Sequence, residues 1–312
     1  MDKRKTILIT GANGFTGQHA CSYFSERGYK VLALVRNRRK LFLSRERSGD
    51  TVVIQCDLTD RKQVDELLQS INPDYVLHCA GKNNTAESWT EPGAYLEINV
   101  MATVNLLDAL RKNKKAPRVL VVGSALERPP EEEPDHPYGL SKTVQTFIAK
   151  SWNILFHMPV VIAKPVNLIG PGPSMGVCSL LAEKIAKTEA GMRTDPVIIK
   201  DLSQKRDFLH VRDALHAYQI ILERGIPGRI YPVETGVKRS LAEVIGTFRS
   251  LTETEPPVII KNHQSGKNDD ESHQRKTCKI NINGVQWEPS RPFRSSIKEI
   301  LEYHRSKIKC EP

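Results

Sequence analysis

The segment Lys5-Thr6-Ile7-Leu8-Ile9-Thr10 runs without a break into Gly11-Ala12-Asn13-Gly14-Phe15-Thr16-Gly17 and then into a helical pattern, and no other stretch restricts the fold as much. A short apolar strand that turns directly into a helix through glycines spaced GxxGxxG leaves backbone N–H groups at the helix start open to an anion. Only residues without a Cβ let the chain come that close to a pyrophosphate. A lone glycine triplet can be no more than a tight turn needing positive φ. Here the strand before and the helix after agree with the spacing, which makes Gly11, Asn13, Gly14, Phe15, Thr16 and Gly17 candidate dinucleotide contacts.

Over the first 165 residues short β-branched runs alternate with longer helical patterns, the signature of βαβ units and a parallel sheet covered on both faces. Strands are expected at Thr6 to Thr10, Lys30 to Val35, Val52 to Gln55, Tyr75 to Cys79, Arg118 to Val122 and Val160 to Ala163. Helices are expected at about Gly14 to Arg27, Arg61 to Ser70, Ala94 to Lys114 and Tyr138 to Leu155. Six strands joined by right-handed crossovers give an α/β, doubly wound Rossmann fold. Residues 1–165 thus read as a dinucleotide-binding domain, with a return contribution from about 205–225.

Beyond Pro165 the regularity weakens into Gly170-Pro171-Gly172-Pro173, followed by helical stretches around Cys178 to Lys187, Val211 to Arg224 and Leu241 to Leu251. Residues 166–312 read as a smaller α/β substrate-binding domain, with a polar surface loop at Asn262 to Lys276 and a closing helix at Ser296 to Lys307.

Composition excludes several classes of function. With 39% hydrophobic and 26% charged residues the chain is of ordinary globular type, and no apolar run approaches the roughly 20 residues needed to span a bilayer. A cytoplasmic protein with no membrane partner is expected. The six cysteines, Cys21, Cys56, Cys79, Cys178, Cys278 and Cys310, stand singly, without the paired spacing of a metal site or redox dithiol, so no metal is expected. The formal charge of +10 is spread along the chain, so no nucleic-acid partner is expected. An anionic small ligand accounts more economically for the cluster Arg36 to Lys40.

That cluster bears on the cofactor. The second strand ends Ala33-Leu34-Val35-Arg36-Asn37-Arg38-Arg39, with no carboxylate where an NAD enzyme would hold the ribose 2′-hydroxyl. Arg36, with Arg38 or Arg39, can neutralise a 2′-phosphate instead, which favours NADP(H) over NAD(H). After the third strand, Asp57 can accept from an adenine amino group while Leu58 offers its backbone to the ring edge. Asp60 or Thr59 could equally cap the next helix. His78-Cys79-Ala80-Gly81 ends the fourth strand with small residues, making Ala80 a further cofactor neighbour.

Tyr138-Gly139-Leu140-Ser141-Lys142 places a phenol and an ammonium one helical turn apart on one face. A phenol near pKa 10 is a poor acid-base group at neutral pH, and a nearby cation draws it toward the working range. Val121-Val122-Gly123-Ser124 sets a hydroxyl at the end of the fifth strand, able to hold a substrate oxygen beside the tyrosine. Ser124, Tyr138 and Lys142 are the candidate catalytic residues.

These motifs resemble the extended short-chain dehydrogenases/reductases of the nucleotide-sugar epimerase/dehydratase group, and the likeness runs nearly the whole length. Matching segments include Asn72 to His78, Asn99-Val100, Lys164-Pro165-Val166-Asn167, and Arg206-Asp207-Phe208 with Val211-Arg212-Asp213. Within the group the pattern is most similar to GDP-6-deoxy-lyxo-4-hexulose reductases, in Ser88-Trp89 with Pro92, Asn167 to Gly172, the turn Trp287-Glu288-Pro289, and Ile300 to Arg305. The resemblance implies that Tyr138 protonates a sugar C4 keto oxygen as NADPH delivers hydride to C4. Ser124 would polarise that oxygen, and Lys142 would tune Tyr138 and hold the nicotinamide ribose. It implies cofactor contact at Pro165, substrate contact at Lys82, Asn167, Arg206 and Lys267, a supporting role for Asn99, and a homodimer.

The pattern also departs from that group. Dehydratases follow the catalytic hydroxyl with an Asp-Glu pair that eliminates water, whereas here Ser124 is followed by Ala125-Leu126. Glu127 lies one position out of register for that acid. Around Lys261 to Glu271, where relatives carry an Arg-Pro-rich clamp, this chain offers Lys267-Asn268-Asp269-Asp270, and an ammonium is a looser phosphate ligand than a guanidinium fork. The expectation is NADPH-dependent reduction of a GDP-, UDP- or dTDP-linked 4-keto-6-deoxy hexose. An NAD-dependent 4-epimerase and a non-enzymatic NADP-sensing protein are the alternatives.

Overall fold

The computed structural model describes residues 4–37, 51–113, 115–261 and 278–309. In chain order the elements begin β1 (Thr6–Thr10), α1 (Phe15–Glu26), β2 (Lys30–Val35), β3 (Thr51–Gln55), α2 (Arg61–Ser70) and β4 (Tyr75–His78). The short helices α3 (Glu87–Thr90) and α4 (Pro92–Leu96) lead through a π-turn (Glu97–Met101) into α5 (Ala102–Leu110), followed by β5 (Arg118–Val122), α6 (Pro137–Phe156) and β6 (Val160–Pro165). Next come β7 (Asn167–Ile169), α7 (Val177–Glu189), β8 (Val197–Ile199), β9 (Lys205–His210), α8 (Val211–Arg224) and β10 (Ile230–Val233). The chain ends with β11 (Lys238–Ser240), α9 (Leu241–Arg249), β12 (Val258–Ile260), β13 (Ile280–Ile282), β14 (Val285–Trp287) and α10 (Phe293–Lys309).

Two compact units result: Met1–Pro165 with Leu215–Val233 and Asn281–Val285, and Val166–Ala214 with Glu234–Ile280 and Gln286–Pro312. The first is built on a parallel seven-stranded sheet in the order β10-β6-β5-β4-β1-β2-β3. Ile7, Leu8 and Ile9 are fully buried because helices cover both faces, which is why the central strands read as continuous apolar runs. β3, at the edge, is only half-buried. Between β1 and β4 the strand order reverses, the switch point at which such sheets bind ligands. The Rossmann expectation is borne out, with one strand more than foreseen. Pro232 concealed the seventh, since proline cannot donate to a ladder; β10 accommodates it by lying at the sheet's edge.

The helix expected over Ala94 to Lys114 forms without a break from Pro92 to Leu110, with a π-turn in its middle. α4 gives way to the π-turn, and α5 ends at Leu110. The extra residue of the π-turn resets the helical phase and turns Asn99 fully inward. Pro137 occupies the first turn of α6, and the Nδ1 of His136 accepts from the Gly139 N–H at 2.7 Å, fixing the start of that helix beside the residues of interest.

In the second unit β9 pairs parallel with β7 and antiparallel with β11, while β8 pairs parallel with β12. Ile185, Phe208, Val244, Phe248, Ile297 and Leu301 form its core. Ser240 and Glu243 close a reciprocal capping box at the start of α9.

Candidate active site

The glycine loop has the geometry its spacing implies. Gly11 sits at φ +65°, and a Cβ there would come 2.8 Å from the backbone of Ala80. A Cβ on Gly17 would overlap the Gly11 carbonyl oxygen and stand 2.7 Å from the Ala12 Cα, so this glycine lets α1 pack directly on the loop. Gly14 caps α1 without any side-chain hydrogen bond, so the first-turn N–H groups have no cap to satisfy them. Asn13 donates to the Asn37 carbonyl at 2.9 Å, while its Oδ1 is buried without a hydrogen-bond partner. Open N–H groups, an orphaned amide oxygen and a cradle that any Cβ would fill together fit a dinucleotide pyrophosphate.

Around the loop stand the other candidate cofactor residues. Arg36 is exposed just beyond β2, the strand paired with β1. Arg39 lies outside the described residues, as does Lys267. Asp57 Oδ1 accepts from the N–H and hydroxyl of Thr59, and Asp60, not Asp57, caps α2. Leu58 is buried. The N–H of Ala80 donates to the Thr10 hydroxyl at 3.2 Å, tying β4 to β1. Pro165 closes β6, and its carbonyl accepts from Ala125 at 2.9 Å.

At the carboxyl ends of β5 and β6, Ser124, Tyr138 and Lys142 are all at least nine-tenths buried. The Ser124 hydroxyl faces the Tyr138 phenol, holding its pKa down, and accepts from the Leu126 N–H at 3.1 Å. The Tyr138 ring stacks on His136 at 5.8 Å and meets Tyr95 edge-on at 6.2 Å. The expectation that Lys142 draws the phenol's pKa down is not met in the protein by itself. Burial raises that pKa, Ser124 opposes the rise and the Glu127 carboxylate adds to it. The reason is geometric: the Lys142 ammonium donates to the Val122 carbonyl at 2.7 Å and to the Gln145 side chain. Burial holds its own pKa down at about 8.

A buried polar chain continues from Lys142. Gln145 donates to the Thr103 hydroxyl at 2.8 Å, His78 bridges Thr103 at 2.9 Å and Thr10 at 2.8 Å, and burial followed by the Lys142 charge lowers the His78 pKa to about 3. A neutral imidazole thus links the strand under the glycine loop to the lysine. Asn99 joins in: its side chain donates to Ser141 Oγ at 2.8 Å and to the Lys82 carbonyl, and its carbonyl accepts from Thr103. None of these links was foreseen, although His78 inside a strand that must be buried on both faces was a visible signal.

The remaining predicted positions fall as follows. The Lys82 ammonium is ion-paired with Glu87 at 3.0 Å and Glu91 at 2.8 Å, so its charge is already matched. In the second unit, the Asn167 amide donates to the Asp207 carbonyl at 2.9 Å, and Arg206 donates to Gln204. Arg206 stands directly across the β9–β11 ladder from Arg239, two cations on neighbouring strands. Glu127, weighed in the sequence only as an acid out of register, has a side chain 1% exposed that lies against Ser124 and Lys164. Among the described residues no group of His, Cys, Asp or Glu is arranged to hold a metal, and no helix is long and apolar enough to cross a membrane.

Comparison with known proteins adds the lineage. GDP-6-deoxy-D-mannose reductase of Pseudomonas aeruginosa is 26% identical over 98% of this chain and 99% of its own length. The dTDP-4-dehydro-6-deoxy-D-allose reductase of Streptomyces bikiniensis is 31% identical over 71% of this chain and 73% of its own. Similar proteins also include a dTDP-glucose 4,6-dehydratase and a UDP-glucose 4-epimerase. The solved structure of RMD from Pseudomonas aeruginosa complexed with NADPH shares the fold at a TM-score of 0.75 and 24% identity, covering 97% of this chain and 98% of that one. The pattern of the NAD dependent epimerase/dehydratase family matches residues 7–233, and the chain belongs to that family, within the extended short-chain dehydrogenases/reductases.

Proposed function

We propose that the chain reduces the C4 keto group of a nucleotide-activated 4-keto-6-deoxy hexose at the expense of NADPH. The observation that carries this reading is the joint burial of Ser124, Tyr138 and Lys142, with the serine hydroxyl facing the phenol and the lysine one helical turn away. NADPH, when bound, supplies the hydride. Ser124 orients the carbonyl oxygen, and Tyr138 gives it the proton that completes the alcohol, contributing roughly 10²–10⁴-fold as a positioned acid. Lys142, whose ammonium is held by Val122 and Gln145, is assigned to the nicotinamide ribose of the bound cofactor.

Reduction is favoured over dehydration because Ala125 and Leu126 stand where dehydratases carry carboxylates, and the nearby Glu127 is committed to the Ser124 backbone and Lys164. The reductases among the relatives support the same choice. Exposed Arg36 beyond β2 supports NADP(H) over NAD(H). Arg206 is assigned to the substrate diphosphate and Asn167 to the diphosphate or sugar, with Lys82 and Lys267 as further substrate contacts. The substrate's base is GDP, UDP or dTDP.

A homodimer is part of this reading. Leu140, Phe147 and Ile154 recur every seven residues along α6 and are 40%, 61% and 67% exposed, an apolar stripe that suits a second copy.

The deciding experiment supplies GDP-, UDP- and dTDP-4-keto-6-deoxy sugars with NADPH, following nicotinamide absorbance and product configuration at C4. Net NADPH oxidation that disappears in Tyr138→Phe is expected. A nicotinamide that copurifies, with C4 interconversion and no net oxidation, would establish the epimerase instead.

A further inference from the structure

Glu127 has a side chain only 1% exposed, and its two oxygens have separate tasks. Oε1 accepts from the Ser124 N–H at 2.6 Å. Oε2 lies 2.7 Å from the ammonium of Lys164, whose side chain reaches in from β6 and is 27% exposed. The backbone is shaped to admit this carboxylate: a Cβ on Gly123 would overlap Oε1 and approach the Thr146 hydroxyl to 3.1 Å. A buried carboxylate costs the fold several kcal/mol unless it is paired and hydrogen-bonded, and this one has both kinds of partner at the turn that carries the serine.

The turn needs such an anchor. β5 ends at Val122, the Gly123 N–H is held by the Ala163 carbonyl at 2.8 Å, and the Glu127 N–H reaches back to the Ser124 carbonyl at 3.3 Å. The Ser124 N–H is held by the Glu127 carboxylate, a charge-assisted bond of the stronger kind. That bond fixes where the Ser124 Cα sits, and with it the point from which the hydroxyl is presented to the Tyr138 phenol.

We propose that Glu127 and Lys164 are positioning residues, a buried ion pair that anchors the backbone of Ser124 and thereby aligns its hydroxyl with Tyr138. The consequence for turnover rests on the carbonyl chemistry proposed above; the alignment itself does not. Neither residue touches the reacting atoms in this role. The pair acts through the serine.

The test uses the full chain as the double variant Glu127→Leu with Lys164→Met. Replacing both members of a buried pair with apolar side chains is often close to neutral for stability, whereas removing one leaves an uncompensated charge. The double variant therefore keeps the wild-type melting temperature and NADPH affinity while kcat falls about 100-fold, the scale of a misplacement near 1 Å, with KM little changed. Glu127→Gln, which retains an oxygen for the Ser124 N–H, falls less. A double variant with wild-type kcat overturns the proposal, as does a loss of NADPH affinity that matches the loss of kcat.

A second readout needs no substrate. Phenolate absorbance of Tyr138, taken as the difference from Tyr138→Phe, is titrated with and without Ser124→Ala. The titratable groups facing Tyr138 are His136, Tyr95, Glu127 and Tyr218. Ser124→Ala raises the Tyr138 midpoint in the wild type, because it removes the hydroxyl that lowers it, and leaves the midpoint unmoved in the double variant, where the serine is no longer aligned. Equal shifts in both backgrounds overturn the proposal. A wild type that shows these shifts and turns over no keto sugar would fail the reductase reading alone.

Discussion

Lys142→Met should change how the protein's stability depends on pH, by an amount that follows from one buried charge. Burial lowers the Lys142 pKa from 10.5 to about 8 at 6% exposure, where water screens little. At ~1.36 kcal/mol per pKa unit, the ammonium costs the folded state ~3.4 kcal/mol whenever it is charged in both states. Below about pH 8 that cost is borne in full. Between about 8 and 10.5 the folded protein has released its proton and the unfolded chain has not, so the unfolded state binds more protons and stability rises with pH. Methionine has no such charge. Urea unfolding of the wild type and Lys142→Met at about pH 7 and about pH 10 should therefore show the wild type gaining ~2.5 kcal/mol on the variant across that interval. A difference between the two proteins that stays constant with pH would refute the burial argument.

Three other perturbations probe separate parts of the protein. Gly17→Ala drives a Cβ into the Gly11 carbonyl and should cost ~1–3 kcal/mol in chemical unfolding, with weaker NADPH binding in a fluorescence titration. Arg36→Ala should raise the KM for NADPH by ~10- to 100-fold, the worth of a charge-assisted phosphate contact, and leave that for NADH unchanged; equal effects on both would remove the case for NADP(H). Phe147→Glu with Ile154→Glu should give a monomer in sedimentation equilibrium if the α6 stripe is where two copies meet, and an unaltered mass would discount it.

The parallel sheet was legible because burial on both faces writes strands as unbroken apolar runs, and β1, β2 and β5 fall where those runs predict. The glycine loop was legible because Gly11 and Gly17 answer to local sterics. What escaped were contacts between residues distant in the chain. The Gln145–Thr103–His78–Thr10 series joins four separate elements, and nothing in the spacing of a threonine and a histidine announces that they will meet. The raised phenol pKa of Tyr138 escaped for a related reason: helical spacing brought Lys142 onto the right face, while its ammonium found acceptors on β5 and one turn further along α6. The burial of the Glu127 carboxylate against the Ser124 N–H and Lys164 escaped because register counted along the chain ignores the loop that folds back beneath Gly123.

A π-turn amounts to one inserted residue that a helix absorbs without breaking. Each residue advances a helix by about 100°, so a chain shorter by one amino acid anywhere in Glu97–Met101 could still be helical from Pro92 to Leu110. It would, however, present a different side chain to the place where Asn99 now meets Ser141 and the Lys82 carbonyl. Single-residue length variation, usually harmless at the surface of a protein, would here cut the tie between this segment and the helix bearing Tyr138 and Lys142.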